Sequence, residues 1–348
     1  MKRYRAWTRR TLRASLAILA LAALFNYAVD PLQQYRASTF YRTYYEKPRY
    51  LNPGLARTHA YDTAILGSSM MHNFIPSEID KALGVKSIKL SMDAASAREI
   101  SLLLRLVLRR PQTKNVIIGI DFPAFAGAPD RLRYGADTFP FHLYDDNRLN
   151  DYRYLLSIDT LQFSVRALEA NWLGVRARKL DPDLYKYFGH NHAFGREVVL
   201  KKWRDANMFP EPPDYYALHN LARSFDVNLL AHIKAHPRVR FILLRPPVSL
   251  LMWKNAPKPV FRNALLFKEY IFNATRDLPN VELYDFQDAA EITANLDNYM
   301  DPGHYSPEIN RFMVECIRTG RYRVTPENFH PRLAAFRRMV ETWQIPED

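Results

Sequence analysis

Ser69 follows a short apolar run, Tyr61-Asp-Thr-Ala-Ile-Leu66, and the pair Gly67-Ser68. Far downstream, Asp301 and His304 stand three apart in Asp301-Pro-Gly-His304, just ahead of Ser306-Pro307-Glu308. Together these three residue types can do acyl chemistry. A hydroxyl becomes a nucleophile when a base takes its proton, and an imidazole serves as that base when a carboxylate fixes its tautomer and steadies the imidazolium. The spacing by itself is weak: with ten histidines in 348 residues, any Asp has about a 3% chance of a His three positions on. Only His304 of the ten has an Asp at that spacing, and a Ser at a strand end combined with D-x-x-H before a helix start is a more demanding pattern. The structural alternatives are a Ser that ends a strand by bonding its own backbone, and a His bonded near the Ser306 cap.

The elements that must position these residues read as an alternation of strands and helices. Residues 61–66 form a strand, Ser77 to Gly84 a short capped helix, 86–90 a second strand, 97–110 an amphipathic helix and 116–120 a nearly all-apolar third strand. After an interruption the pattern resumes with a helix near 215–236, a strand at 240–244, a helix near 263–276 and a strand at 281–284. A core helix from Ser306, with Pro307 at its first position, runs to about 318, and a final helix spans about 332–343. Apolar strands alternating with helices predict a five-stranded parallel sheet covered on both faces, a flavodoxin-like three-layer α/β/α domain. In such sheets ligands sit beyond the carboxyl ends of the strands, where Ser69 and the Asp301–His304 loop fall. Residues 126–213, rich in Tyr, Asp, Arg and Trp with weak helical periodicity at 161–172, are expected to be a mostly helical insertion.

Composition removes several functions. The 11 glycines never fall as G-x-G, G-x-x-G or a Walker loop, which disfavours Rossmann and P-loop nucleotide sites. The single Cys316 excludes intrachain disulfides and Cys-rich zinc sites. His190 with His192, and His232 with His236, have metal-like spacings but no carboxylate or Cys to complete a set, so they read as surface histidines; no metal and no cofactor is expected. The net charge of +13 is not a nucleic-acid signature, because residues 1–30 supply +5 of it and no long Lys/Arg run occurs elsewhere.

Those first charges are a topology signal. Residues 1–13 form a basic tail and 14–29 an uncharged apolar stretch closed by Asp30-Pro31. Sixteen residues at 1.5 Å each reach about 24 Å, slightly short of a bilayer core of roughly 30 Å, with Arg13 snorkelling and flanking aromatics to close the gap. A cleaved signal peptide has the same layout. The tyrosines and phenylalanine in 30–60 (Tyr35, Phe40, Tyr41, Tyr44, Tyr45, Tyr50) favour an uncleaved anchor with an interfacial collar, although they can equally strap across a folded domain. The positive-inside rule then puts the N-terminus in the cytoplasm and the main domain, 61–325 with the C-terminal helix 326–348, on the extracytoplasmic or periplasmic side of an inner membrane.

On these residues the chain resembles the SGNH/GDSL hydrolase superfamily over about 61–320, insertion excluded. Gly67-Ser68-Ser69 is similar to its first block, with Ser68 where the usual Asp stands, and Asp301-Pro-Gly-His304 to its last. The nearest variant is the membrane-anchored envelope branch, which includes proteins of teichoic-acid D-alanylation and alginate O-acetylation. The resemblance implies Ser69 as nucleophile, His304 as base and Asp301 as its orienting carboxylate. Two blocks depart from it: the usual second-block Gly is replaced within Ser91-Met-Asp-Ala-Ala-Ser96, and Gly119-Ile-Asp121 puts Asp121 at the Asn position. Oxyanion donors then fall to the backbone of Ser69 and of Ala94–Ala95, while an ionised Asp121 facing an oxyanion opposes it. His72 is a candidate for the pocket mouth or a plain loop residue; Arg245 and Ser249, after the fourth strand, are candidates for the pocket wall or a rigid turn. The implied function is a serine esterase or O-acyltransferase on acyl esters of an envelope or secreted polysaccharide, with a membrane-bound acyl donor as a further possible partner. The alternative is a non-catalytic binding or assembly protein on the same fold, in a polysaccharide-modification complex.

Overall fold

The structure is a computed structural model that describes residues 2–38, 47–172, 182–189 and 192–346; Phe40, Tyr41, Tyr44, Tyr45 and His190 lie outside the described residues. The chain divides into two compact units, 1–59 with 139–181, and 60–138 with 182–348. Among the described residues, the helices of eight residues or more are α1 (Lys2–Val29), α2 (Pro48–Thr58), α3 (Pro76–Leu83), α4 (Ala97–Leu108), α5 (Ile158–Trp172), α6 (Arg196–Asp205), α7 (Leu218–Phe225), α8 (Lys258–Thr275), α9 (Pro307–Thr319) and α10 (Phe329–Thr342).

The second unit holds a five-stranded, all-parallel sheet of β1 (Thr63–Leu66), β2 (Ser87–Lys89), β3 (Asn115–Gly119), β4 (Arg240–Arg245) and β5 (Val281–Asp285), in the order β2-β1-β3-β4-β5. Helices cover both faces, which is why the central strands carry unbroken apolar runs (Ala64–Leu66 in β1, Val116–Ile118 in β3, Phe241–Leu244 in β4) rather than alternating ones. Ile65, Ile117, Ile242, Leu244 and Tyr284 point to one side, into a core shared with α3, α6 and α9. Their neighbours Ala64, Leu66, Val116, Ile118, Phe241 and Leu243 are equally buried on the other. The five strands are those the sequence predicts, and the flavodoxin-like arrangement places the reversal of strand order between β1 and β3.

Helix starts differ in detail from the sequence expectation. α3 begins at Pro76 with Ile75 as its N-cap rather than at Ser77, since proline's fixed φ suits the first helical position, and it ends on Gly84 in the left-handed region at φ 67°. Ser306 is the N-cap of α9 ahead of Pro307, as expected, but its side chain makes no cap bond. α4 opens on a reciprocal capping box: Ser96 Oγ accepts from Glu99 N at 3.3 Å and Glu99 Oε2 accepts from Ser96 N at 2.9 Å. The helix expected at 215–236 is α7, continued by a π-turn at Asp226–Leu230 into Ala231–Ala235.

The segment 126–213 is split: residues 139–181 belong with the first unit, while 126–138 and 182–213 belong with the sheet. In the first unit α1 runs from Lys2, so the basic tail continues the apolar stretch as one helix, and Arg3–Val29 is long and apolar enough to cross a membrane. It stops at Asp30, whose buried carboxylate accepts from the backbone N–H groups of Gln34, Tyr35 and Arg36 at 2.9, 3.0 and 3.1 Å. Tyr35 packs its ring against Tyr27 and Tyr154.

Candidate active site

The loops at the carboxyl ends of the strands and the loop before α9 converge on one cavity of about 450 Å³. Ser69 opens the 3-10 turn Ser69–Met71 directly after β1. Gly67 makes that turn possible: its φ is +142°, and a Cβ there would lie 2.6 Å from Met71 Cγ and 3.3 Å from Gly119 N. Met71 thereby packs into the space two glycines leave open, at the ends of β1 and β3. Ser69 Oγ lies 2.7 Å from His304 Nε2, and His304 Nδ1 lies 2.9 and 3.1 Å from the two oxygens of Asp301. Asp301 Oδ1 also accepts from the backbone N–H groups of Gly303 and His304 at 2.9 and 2.8 Å, so the carboxylate is fixed by the loop it orients. The arrangement is a hydroxyl, an imidazole and a carboxylate in hydrogen-bonded series, the geometry required to activate a serine.

Electrostatics follow from burial and these partners. Burial opposes protonation of His304, but the hydrogen bond and charge of Asp301, helped by the charge of Asp121, outweigh it and raise the imidazole pKa above its ordinary value. Burial likewise works against ionisation of Asp301, and the His304 bond and charge with the two backbone donors hold its pKa below the usual carboxylate value. For Asp121 burial wins: its pKa is pushed up to about 6 against the Ser68 hydrogen bond and the His304 charge. The Ser68 hydroxyl donates to Asp121 Oδ2 and accepts from Met70 N at 3.2 Å, linking the ends of β1 and β3 across the switch point.

Ala94, Ala95 and Asp121 line the cavity beside the three reactive residues. Ala95 N is bonded back to Met92 O at 3.3 Å, whereas Ala94, at the positive φ of 46°, makes no backbone bond through its N–H among the described residues. Ser69 N is the first N–H of its turn and has no partner within it. Both residues line the cavity. The other three candidates do not line the cavity. His72 is buried, with Nδ1 2.7 Å from Ser91 Oγ and Nε2 3.0 Å from Asp93 Oδ1; burial pulls its pKa down to about 4. Arg245 is buried under the sheet edge against Asp285 at 3.1 Å and Lys268 O at 3.0 Å. Ser249 is buried as well, but donates to Pro302 O through both Oγ (2.7 Å) and N (3.0 Å), clamping the loop between Asp301 and His304. His232 is bonded to Ser101, and His236 to the carbonyl of His232.

Several residues at the site carry no signal in the sequence. Tyr305 donates to Met70 O at 2.8 Å, tying the His304 loop to the nucleophile turn, and Tyr299 donates to Pro247 O at 2.6 Å. The Phe188 ring meets His304 edge-on at 5.8 Å. Met208, Val248, Met252 and Trp253 form an apolar wall. Three cations line the rest: Arg131 is spent on the carbonyls of Pro123, Ala124 and Ala126, and Lys202 on Met300 O at 2.7 Å. The Arg133 guanidinium, over the Tyr134 ring at 5.8 Å, has no ion pair among the described residues. Tyrosines that bond backbone carbonyls and residues contributed from 126–138 and 182–213 have no spacing rule that announces them.

No family model matches the sequence, and no curated protein does. Among solved structures the chain is similar to one from Streptococcus pneumonia described as a "putative platelet activating factor", with 10% identity and a TM-score of 0.39 over 79% of this chain and 90% of that one. A likeness of this size leaves the chemistry to be read from the site itself.

Proposed function

We propose that the chain is a membrane-anchored serine esterase or O-acyltransferase of the SGNH type, with its α/β unit on the extracytoplasmic side and acyl esters of an envelope or secreted polysaccharide as substrates. The observation that carries the reading is the unbroken series Ser69–His304–Asp301 opening into the cavity. His304 takes the Ser69 proton as Oγ attacks the ester carbonyl, and Asp301 steadies the imidazolium that forms. The N–H groups of Ser69 and Ala94 receive the negative charge on the carbonyl oxygen. Collapse of the tetrahedral intermediate breaks the ester C–O bond, with His304 returning the proton to the departing alkoxide. Water or a sugar hydroxyl, deprotonated by His304 in turn, then takes the acyl group from Ser69. The location and polymer class are supported by the basic-then-apolar N-terminus and by the sequence resemblance.

The test is hydrolysis of chromogenic acyl esters by the full-length protein in detergent or nanodiscs. Wild type is expected to turn over, and Ser69→Ala to lose activity by at least about a thousandfold, since loss of a triad nucleophile costs on the order of a millionfold in kcat. No turnover by wild type, or turnover unchanged in Ser69→Ala, would contradict the reading and leave a non-catalytic polymer- or partner-binding protein.

A further inference from the structure

We infer that α5 is a second membrane contact: it lies in the lipid–water interface beside the end of α1 and presents a stripe of apolar side chains to the hydrocarbon. The inference rests on the anchor reading of α1. At 100° per residue, α5 sorts into three stripes. Thr160, Phe163, Ser164 and Ala167 are buried within the unit. Asp159, Gln162 and Arg166 form an exposed polar stripe, which the half-buried Glu169 extends to the edge of Ile158. Between the two, Ile158, Leu161, Val165 and Trp172 share one side and are 74%, 36%, 42% and 67% exposed. Exposed apolar side chains scattered singly are ordinary, but a continuous helical stripe of them marks an interaction surface.

Its continuity with α1 identifies the occupant. The buried stripe of α5 is seated on the last turns of the span: Ser164 Oγ donates to Asn26 Oδ1 at 2.8 Å, and Ala167 and Leu168 pack with Phe25 and Val29. Just ahead of α5, Asn26 Nδ2 donates to Leu155 O at 2.8 Å and Tyr154 OH to Asp30 Oδ1 at 2.9 Å. The α1 side chains that a bilayer would cover, Leu16, Ile18, Leu21 and Leu24, are exposed. α5 is therefore held at the depth where the span leaves the membrane, by contacts made to the span itself. An exposed apolar stripe beside a polar one, with a Trp at the helix end, suits a position at the membrane–water interface. The uncharged part of α1 reaches only about 24 Å of the roughly 30 Å core, and a shallow helix at its end supplies apolar surface where the span falls short.

The experiment uses full-length protein in phosphatidylcholine nanodiscs, with an environment-sensitive fluorophore on one introduced cysteine at a time: Leu161→Cys, Val165→Cys, Gln162→Cys and, within the span, Leu19→Cys. Cys316 stays in place, because it is buried and burial pushes its thiol up to about 11, which leaves it unreactive at neutral pH. Quenching by nitroxide-labelled lipid is compared with quenching by aqueous iodide. Probes at 161, 165 and 19 are expected to be quenched at least twofold more by the lipid than the probe at 162, which iodide quenches instead. If 161 and 165 respond to iodide as 162 does while 19 is lipid-quenched, α5 faces water and the inference fails with the anchor intact. Protection of 161 and 165 from both quenchers places a protein there and also overturns it. Iodide access at 19 overturns the anchor reading itself.

Discussion

His304 stands between two carboxylates with opposite tendencies, Asp301 held ionised and Asp121 pushed up to about 6. The neutral imidazole is the working base, so its raised pKa means that kcat/KM falls as pH drops through a midpoint above the ordinary imidazole value of 6.5. Part of that shift comes from the Asp121 charge. Asp121→Asn still accepts from Ser68 but removes the charge, so the acid limb of the pH–rate profile is expected to move to lower pH, with activity at pH 7 unchanged or raised. An unmoved limb would show that Asp121 does not act on His304. Ser69, Asp301 and His304 were legible because their chemistry restricts residue type and spacing at once. His72 and Arg245 fall elsewhere because the same polar residues also satisfy buried networks, and sequence spacing does not distinguish a wall of the cavity from the layer behind it.

The turn after β1 depends on an element-level fit of Gly67, Met71 and Gly119. Gly67→Ala must either strain a φ of +142° or push Met71 aside, since its Cβ would lie 2.6 Å from that side chain. We expect a loss of stability of about 1–3 kcal/mol, read by chemical denaturation, together with a fall in kcat larger than any change in KM, because the Ser69 turn moves relative to His304. Wild-type stability and kcat in Gly67→Ala would contradict this fit. The central strands were readable from their apolar runs because both faces of the sheet are covered, and α4 was readable from the amphipathic spacing of 97–110. The path of 126–213 was not readable. Its 139–181 portion joins α1 and α2, whereas Lys202 and Met208 reach the cavity, and no local periodicity encodes which of two cores a segment will join.

At the scale of the whole molecule, the sheet unit is closed at its β4–β5 edge by buried charge rather than by apolar packing alone. Asp285 meets Lys268 at 2.5 Å and Arg245 at 3.1 Å, and Arg332 bonds both Asp288 and the Asp285 carbonyl, joining β4, β5, α8 and α10. Burial pulls the Lys268 pKa down to about 8 despite its partner, so the cluster is balanced only while Asp285 is ionised. Asp285→Ala leaves two cations buried and unpaired and is expected to cost about 3–5 kcal/mol, measured by thermal or denaturant unfolding; a cost below about 1 kcal/mol would show that the cluster behaves as a surface pair. None of this pairing was legible from the net charge of +13, which counts charges without locating them. The account as a whole turns on whether the full-length protein carries an activated serine. Treatment with a fluorophosphonate probe, followed by mass spectrometry of the intact chain and its peptides, is expected to add one phosphonyl group, on Ser69, at a rate that falls sharply in His304→Ala and to nothing in Ser69→Ala. A folded wild-type protein that takes up no probe, or takes it up on another residue, would contradict the account.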